Sequence, residues 1–173
     1  MSAGRRILVY GYGNPGRRDD GLGPALADRI EAGRTAGVSV DSAYQLAIED
    51  AANIADYDAV VFVDANMEGP EPYSVRRLAP SANITFTSHL IGPESVLALC
   101  GEMYGKAPEC WLLGIRGYAY DFGEELTDKA RKNLEEAFAF VRDFIEKLRN
   151  AGGPRDQEGE ENEQDGTQDD PDH

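Results

Sequence analysis

The sequence predicts an α/β fold, a three-layer α/β/α arrangement around a twisted, mostly parallel central sheet of about five strands. Three observations carry this expectation. Short apolar runs suited to buried strands alternate with segments whose apolar residues recur every three or four positions, as on a helix face. The run Ala59-Val60-Val61-Phe62-Val63 is apolar on both faces, as a central parallel strand must be. The chain has 173 residues, which suits one domain with a full core.

The elements follow in order. Residues 6–12 are an apolar run ending in Gly and Asn, a buried strand and then a turn. Leu22, Leu26 and Ile30 share a helix face, with Pro24 tolerated in the first turn. Residues 37–44, where Val38 and Val40 alternate, give a second strand, and residues 59–63 a third. Residues 73–78 read as an edge strand, because Arg76 and Arg77 favour an exposed position. Gly92-Pro93 opens a helix bearing Val96, Leu99, Cys100 and Met103, and Gly105 ends it. Residues 111–115 form another buried strand. The last helix spans residues 127–150, where Leu126, Ala130, Leu134, Phe138, Val141, Ile145 and Leu148 make one apolar stripe. Gly152-Gly153-Pro154 stops it. The domain is thus residues 1–152, followed by an acidic tail, 153–173.

Formal net charge is −15. Residues 156–173 hold nine carboxylates and no Lys or Arg, so the rest of the chain carries only about −6. Such a tail cannot bury enough apolar surface to offset the entropy of ordering, and disorder is expected of it. Nothing basic and continuous is available to neutralise phosphates, which argues against nucleic acid. Cys100 and Cys110 make no disulfide framework and read as reduced, buried thiols. No apolar run approaches the roughly 20 residues that cross a bilayer. The apolar stretch after Arg5-Arg6 is too short for a signal-peptide core, so a cytoplasmic location is expected.

Chemistry can sit in three places. The first is the segment from Gly11 to Gly23. It satisfies G-x-G-x-x-G after a strand through Gly11, Gly13 and Gly16, the dinucleotide pattern. Asp41, ending the second strand, stands about where a ribose partner is expected. Against that reading, Pro15 removes an amide donor, and Asp19 and Asp20 put two carboxylates where an anion would lie. A small nucleotide-binding domain is therefore the second reading. Asp19 and Asp20 are also suited to capping the next helix, with one capping and the other pointing into a cleft. The second place is Asp64, after the central strand; a functional acid and a plain turn residue are equally compatible with Asp64-Ala65-Asn66. The third is His89, the one histidine outside the tail. Asp20, Asp64 and His89 would each emerge at the carboxyl edge of one sheet, where α/β folds bind ligands. Two carboxylates and an imidazole suit a borderline dication such as nickel or zinc.

Gly11-Tyr12-Gly13-Asn14 followed by Asp19-Asp20-Gly21-Leu22-Gly23 resembles the N-terminal signature of the hydrogenase maturation endopeptidases. Val60-Val61-Phe62-Val63-Asp64-Ala65 resembles that family's strand ending in its second acid, and Ser88-His89-Leu90 its histidine segment. The resemblance covers residues 5–148 and leaves out the tail. It implies metal ligands, and the catalytic centre, at Asp20, Asp64 and His89. It implies one cleavage near the C-terminus of a [NiFe] hydrogenase large-subunit precursor. It also implies that nickel arrives with that precursor and is held weakly or not at all by the free enzyme. No Ser-His-Asp set and no H-E-x-x-H helix for a permanent zinc is present in the sequence.

Overall fold

The computed structural model describes residues 4–80 and 91–151. Its elements are β1 (Ile7–Tyr12), a 3-10 turn (Arg18–Gly21), α1 (Leu22–Ala32), β2 (Val38–Ala43), α2 (Asp50–Ile54), β3 (Ala59–Asn66), β4 (Tyr73–Arg77), α3 (Pro93–Tyr104), β5 (Glu109–Arg116) and α4 (Asp128–Asn150). The strands form one sheet in the order β2-β1-β3-β5-β4. All pairs are parallel except β4 with β5. The expected α/β sheet of five strands is observed.

The period-two alternation of the central strands builds two cores. Ile7, Val9, Val61 and Val63 face α1 and α4, where Leu26, Ile30, Leu134 and Val141 meet them. Leu8, Tyr10, Val60 and Phe62 face α2 and α3, where Ile54, Val96 and Leu97 meet them. Burying each such side chain contributes roughly 1.5–3 kcal/mol. Cys100 and Cys110 are free and buried in this second core, as expected. Burial pushes both thiols up, Cys110 to about 12. The thiolate, which is the reactive form, is therefore suppressed at neutral pH.

Several boundaries differ from expectation. β3 continues three residues beyond Val63, because β5 pairs with it as far as Asn66 opposite Arg116. Asp64 thus lies within the ladder, opposite Gly114, and is not a turn residue. In α3, Val96 and Cys100 are buried and Leu97 joins them, while Leu99 is half-buried and Met103 exposed, so only part of the apolar set read from the sequence faces the core. Helix α2 has only five residues, too few for a helical period to show in the sequence. In α4, Thr127 is the N-cap, its hydroxyl accepting from the Ala130 N–H at 3.2 Å. Phe138 stays half-buried, under the Arg29 guanidinium 4.1 Å from the ring centre. Among the described residues, no helix is long and apolar enough to cross a membrane. The acidic tail, residues 153–173, lies outside the described residues.

The strand order places the site. β1 is flanked by β2 on one side and β3 on the other. Chain connections therefore diverge at the carboxyl ends of β1 and β3 and leave a crevice there.

Candidate active site at the divergence of strands β1 and β3

That crevice is a cleft of about 820 Å³. Asp20 and Asp64 both line it, with Tyr12, Arg17, Tyr44 and Ile91. The two acids expected to converge do so. His89 lies outside the described residues.

The turn carrying Asp20 depends on unusually close backbone approaches. A Cβ on Gly11 would lie 2.2 Å from the Gly23 carbonyl oxygen, and one on Gly13 would lie 2.0 Å from the Asp20 carbonyl oxygen. Gly13 also has a φ of +140°, which side-chain-bearing residues rarely adopt. These glycines let α1 and the acid-bearing turn pack directly on β1.

The same geometry disposes of the dinucleotide reading. The amides that would hold a pyrophosphate are already engaged. The Gly13 N–H donates to the Ala43 carbonyl (3.0 Å), and the Asn14 N–H to Asp20 Oδ2 (2.9 Å). The Gly16 N–H donates to Asn14 Oδ1 (2.9 Å), and the Arg17 N–H to the Asn14 carbonyl (3.0 Å). The helix begins only at Leu22, after a 3-10 turn that brings in the two acids, so no helix N-terminus meets the glycine loop. Asp41 is committed elsewhere, accepting from the Ser42 N–H (2.8 Å) and from Asn53 Nδ2 (3.0 Å).

Asp19 and Asp20 divide their roles, but neither caps α1, whose N-cap is Gly21 without a side-chain bond. Asp19 is fully buried. Its carboxylate accepts the N–H groups of Tyr118 (2.8 Å), Ala119 (3.1 Å) and Thr127 (2.8 Å), and the Thr127 hydroxyl (2.8 Å). Burial opposes its charge, yet these bonds outweigh burial and hold its pKa below the usual carboxylate range. Asp19 therefore fastens the loop after β5, and the start of α4, to the turn after β1.

Asp20, the next residue, uses Oδ2 to take the Asn14 N–H and turns toward the cleft. Asp64 reaches the cleft from β3. Burial pushes its carboxyl up to about 7. The Ala65 N–H (2.8 Å) opposes that rise, the charge of Asp20 adds to it, and the Tyr12 hydroxyl opposes it again. Tyr12 itself is pushed up by burial and then by Asp64, so its phenol stays protonated and donates. Tyr12 stands within the Gly11–Asn14 signature, but the sequence reading gave it no role in the site. The available signal was its position at the end of β1, one residue before the glycine turn. Tyr120 was also missed. Its hydroxyl is buried near Asp19, Asp20 and Asp64, has no hydrogen-bond partner among the described residues, and is pushed up to about 12, first by burial and then by those acids.

Two carboxylates share a partly desolvated wall, and their mutual repulsion is relieved by one proton or by one cation. Asp20 and Asp64 both retain lone pairs that no described donor occupies. The donor set suits a borderline dication completed by nitrogen. Among the described residues, no group of three or more such ligands forms.

No family model and no curated protein matches the sequence. Solved structures do. The hydrogenase 2 maturation peptidase of a Thaumarchaeota archaeon is 26% identical with a TM-score of 0.62, covering 83% of this chain and 99% of that one. The [NiFe] hydrogenase maturation protease HycI of Thermococcus kodakarensis is 23% identical with a TM-score of 0.65, covering 84% and 95%. The hydrogenase maturating endopeptidase HybD of E. coli is 22% identical with a TM-score of 0.62, covering 85% and 94%. The resemblance read from the sequence is thus met by a shared fold along nearly the whole length of these proteins.

Proposed function

We propose that this protein is an endopeptidase that removes a C-terminal extension from the nickel-loaded large-subunit precursor of a [NiFe] hydrogenase. Its fold is that of proteins carrying this role, and the observation that carries the reading is the convergence of Asp20 and Asp64 on one cleft. Nickel is cargo of the substrate here, and Asp20, Asp64 and His89 are the ligands this chain would add to it. Ile91, two residues along the chain from His89, lines the same cleft.

The chain's own groups account for selectivity toward a loaded precursor. Without a cation, burial and the neighbouring Asp20 charge raise the Asp64 carboxyl to about 7, so a proton competes for it near neutral pH. A precursor bearing a dication exchanges that proton for the metal. A precursor without metal leaves Asp64 with its proton and offers the two carboxylates no ligand bond, so it forms the complex less favourably. Tyr12 and the Ala65 N–H orient the Asp64 carboxylate, and the Asn14 N–H orients that of Asp20. A metal held at the cleft can polarise the scissile carbonyl or lower the pKa of water.

The test is to mix the purified protein with cognate precursor, with and without nickel, and weigh the products. Release of one C-terminal peptide from the nickel-loaded precursor alone is expected. No cleavage of either form would overturn the reading.

A further inference from the structure

We propose that Phe122 is a docking anchor for the precursor, an exposed ring on a fastened loop bridged to the cleft-lining Arg17, that enters an apolar pocket rimmed by Lys and Arg on the precursor's folded body. This inference rests on the proposed function. It concerns how the substrate protein is grasped, away from the scissile peptide.

Phe122 is 91% exposed, more than any other large hydrophobic residue described. An exposed Phe on a loose loop would mean little. This loop is fastened. The Arg18 N–H donates to the Gly123 carbonyl (2.7 Å), and the Gly123 N–H to the Gly16 carbonyl (2.9 Å). The Asp19 N–H donates to the Ala119 carbonyl (3.0 Å), while the Asp19 carboxylate takes the N–H groups of Tyr118, Ala119 and Thr127. Arg17 Nε reaches the Tyr120 carbonyl (3.2 Å), and Arg18 Nε that of Glu125 (3.3 Å). These bonds bracket Phe122 on both sides and run to the turn whose next residue is Asp20. The backbone that carries the ring is therefore held in fixed relation to the turn bearing Asp20. A preorganised aromatic loses little entropy on binding, and such residues dominate the energetics of protein interfaces.

The surroundings specify the partner. Asp121, Glu124, Glu125 and Asp128, which flank Phe122 along the chain, are all exposed. Arg18 approaches Asp121 (3.5 Å) and Arg131 approaches Asp128 (3.7 Å), but among the described residues no ion pair engages Glu124 or Glu125. The complementary surface is an apolar pocket with a cationic rim. A second copy of this chain would bring the same acids, and the tail, with its nine carboxylates, would be repelled. The anchor is continuous with the cleft, because Arg17 lines the cleft and is bridged to Gly123.

Cleavage kinetics on the nickel-loaded precursor, with calorimetric binding of the same precursor, test the proposal. Phe122→Ala should raise KM about tenfold or more, leave kcat within about twofold, and weaken binding in parallel. Phe122→Trp should restore most of the affinity. Glu124→Gln combined with Glu125→Gln should flatten the loss of affinity as salt rises. Parental KM and binding in Phe122→Ala, or a fall in kcat at unchanged KM, overturns the anchor while cleavage by the parent leaves the peptidase reading standing. If the parent does not cleave but binds, and Phe122→Ala weakens that binding, the anchor holds and the peptidase reading falls. If the parent neither cleaves nor binds, both fall. Loss of self-association in Phe122→Ala at unchanged precursor affinity assigns the ring to a second copy and also overturns the anchor.

Discussion

The turn after β1 and the end of β3 each withdraw an aspartate from solvent, and they treat it in opposite ways. Asp19 is completely buried and meets four donors, so its charge is favoured. Asp64 is only partly buried and meets the Ala65 N–H and one phenol beside a second carboxylate, so its charge is disfavoured. Burial alone therefore does not mark a functional acid. The mark is burial with unfilled hydrogen-bonding capacity, facing a cavity. Asp20, adjacent to Asp19, belongs with Asp64 by that criterion, although only one peptide bond separates it from the structural acid.

The largest expected effect tests that division. Asp20→Asn should lower processing of nickel-loaded precursor at least ~100-fold, because a neutral amide is a poor ligand for a dication. The amide oxygen can still accept from the Asn14 N–H, so the melting temperature should hold. Parental cleavage by this variant would remove Asp20 from the site.

Asp19→Ala should fail in the opposite way. It leaves three buried N–H groups without their acceptor, at a cost of about 3 kcal/mol or more. Thermal and urea unfolding should show that loss. The pH dependence has a definite sign. Asp19 is depressed in the folded state, so its contribution is present above the ordinary aspartate value near 4 and lost as pH falls through the lower folded value. The parent should therefore lose stability on acidification over that window, and the gap to Asp19→Ala should narrow with it. A gap that stays constant across acid pH would exclude the carboxylate charge as its cause.

Asp64→Asn should be more stable than the parent at pH 8 while losing processing. A carboxyl raised to about 7 penalises the folded state increasingly as pH rises from about 4 to 7, and the amide removes the penalty. The gain should be on the order of 1–3 kcal/mol at pH 8 and absent below pH 4. Equal melting temperatures at pH 8 would show that Asp64 ionises freely, and the contrast with Asp19 would collapse.

The sequence made much of the sheet readable and little of this contrast. β1, β3, β5 and α4 were legible because their apolar residues follow the periods that strands and helices impose. Their alternation places Asp20 and Asp64 at one sheet edge. The division of labour within Asp19-Asp20 was not legible, because the partners of Asp19 lie at Tyr118, Ala119 and Thr127, about a hundred residues away. No local rule distinguishes the two. The capping expectation failed because the 3-10 turn holds both acids ahead of Gly21, which takes the N-cap position of α1. Tyr12 escaped because a tyrosine at a strand end looks like packing until a carboxylate appears on the neighbouring strand.

The smallest expected effect concerns Tyr120, which stands between the two kinds of acid. Its hydroxyl is buried without a partner among the described residues, close to Asp19, Asp20 and Asp64. A buried hydroxyl that makes no bond loses its hydration without return. Tyr120→Phe keeps the ring and removes that oxygen, so it should raise stability by about 1 kcal/mol. The rise should be seen in urea unfolding at constant slope, which reports stability without a change in exposed surface. A loss of stability would instead mean that the hydroxyl donates to one of these acids in solution. Tyr120 would then belong with Tyr12 among the groups that orient the site's carboxylates.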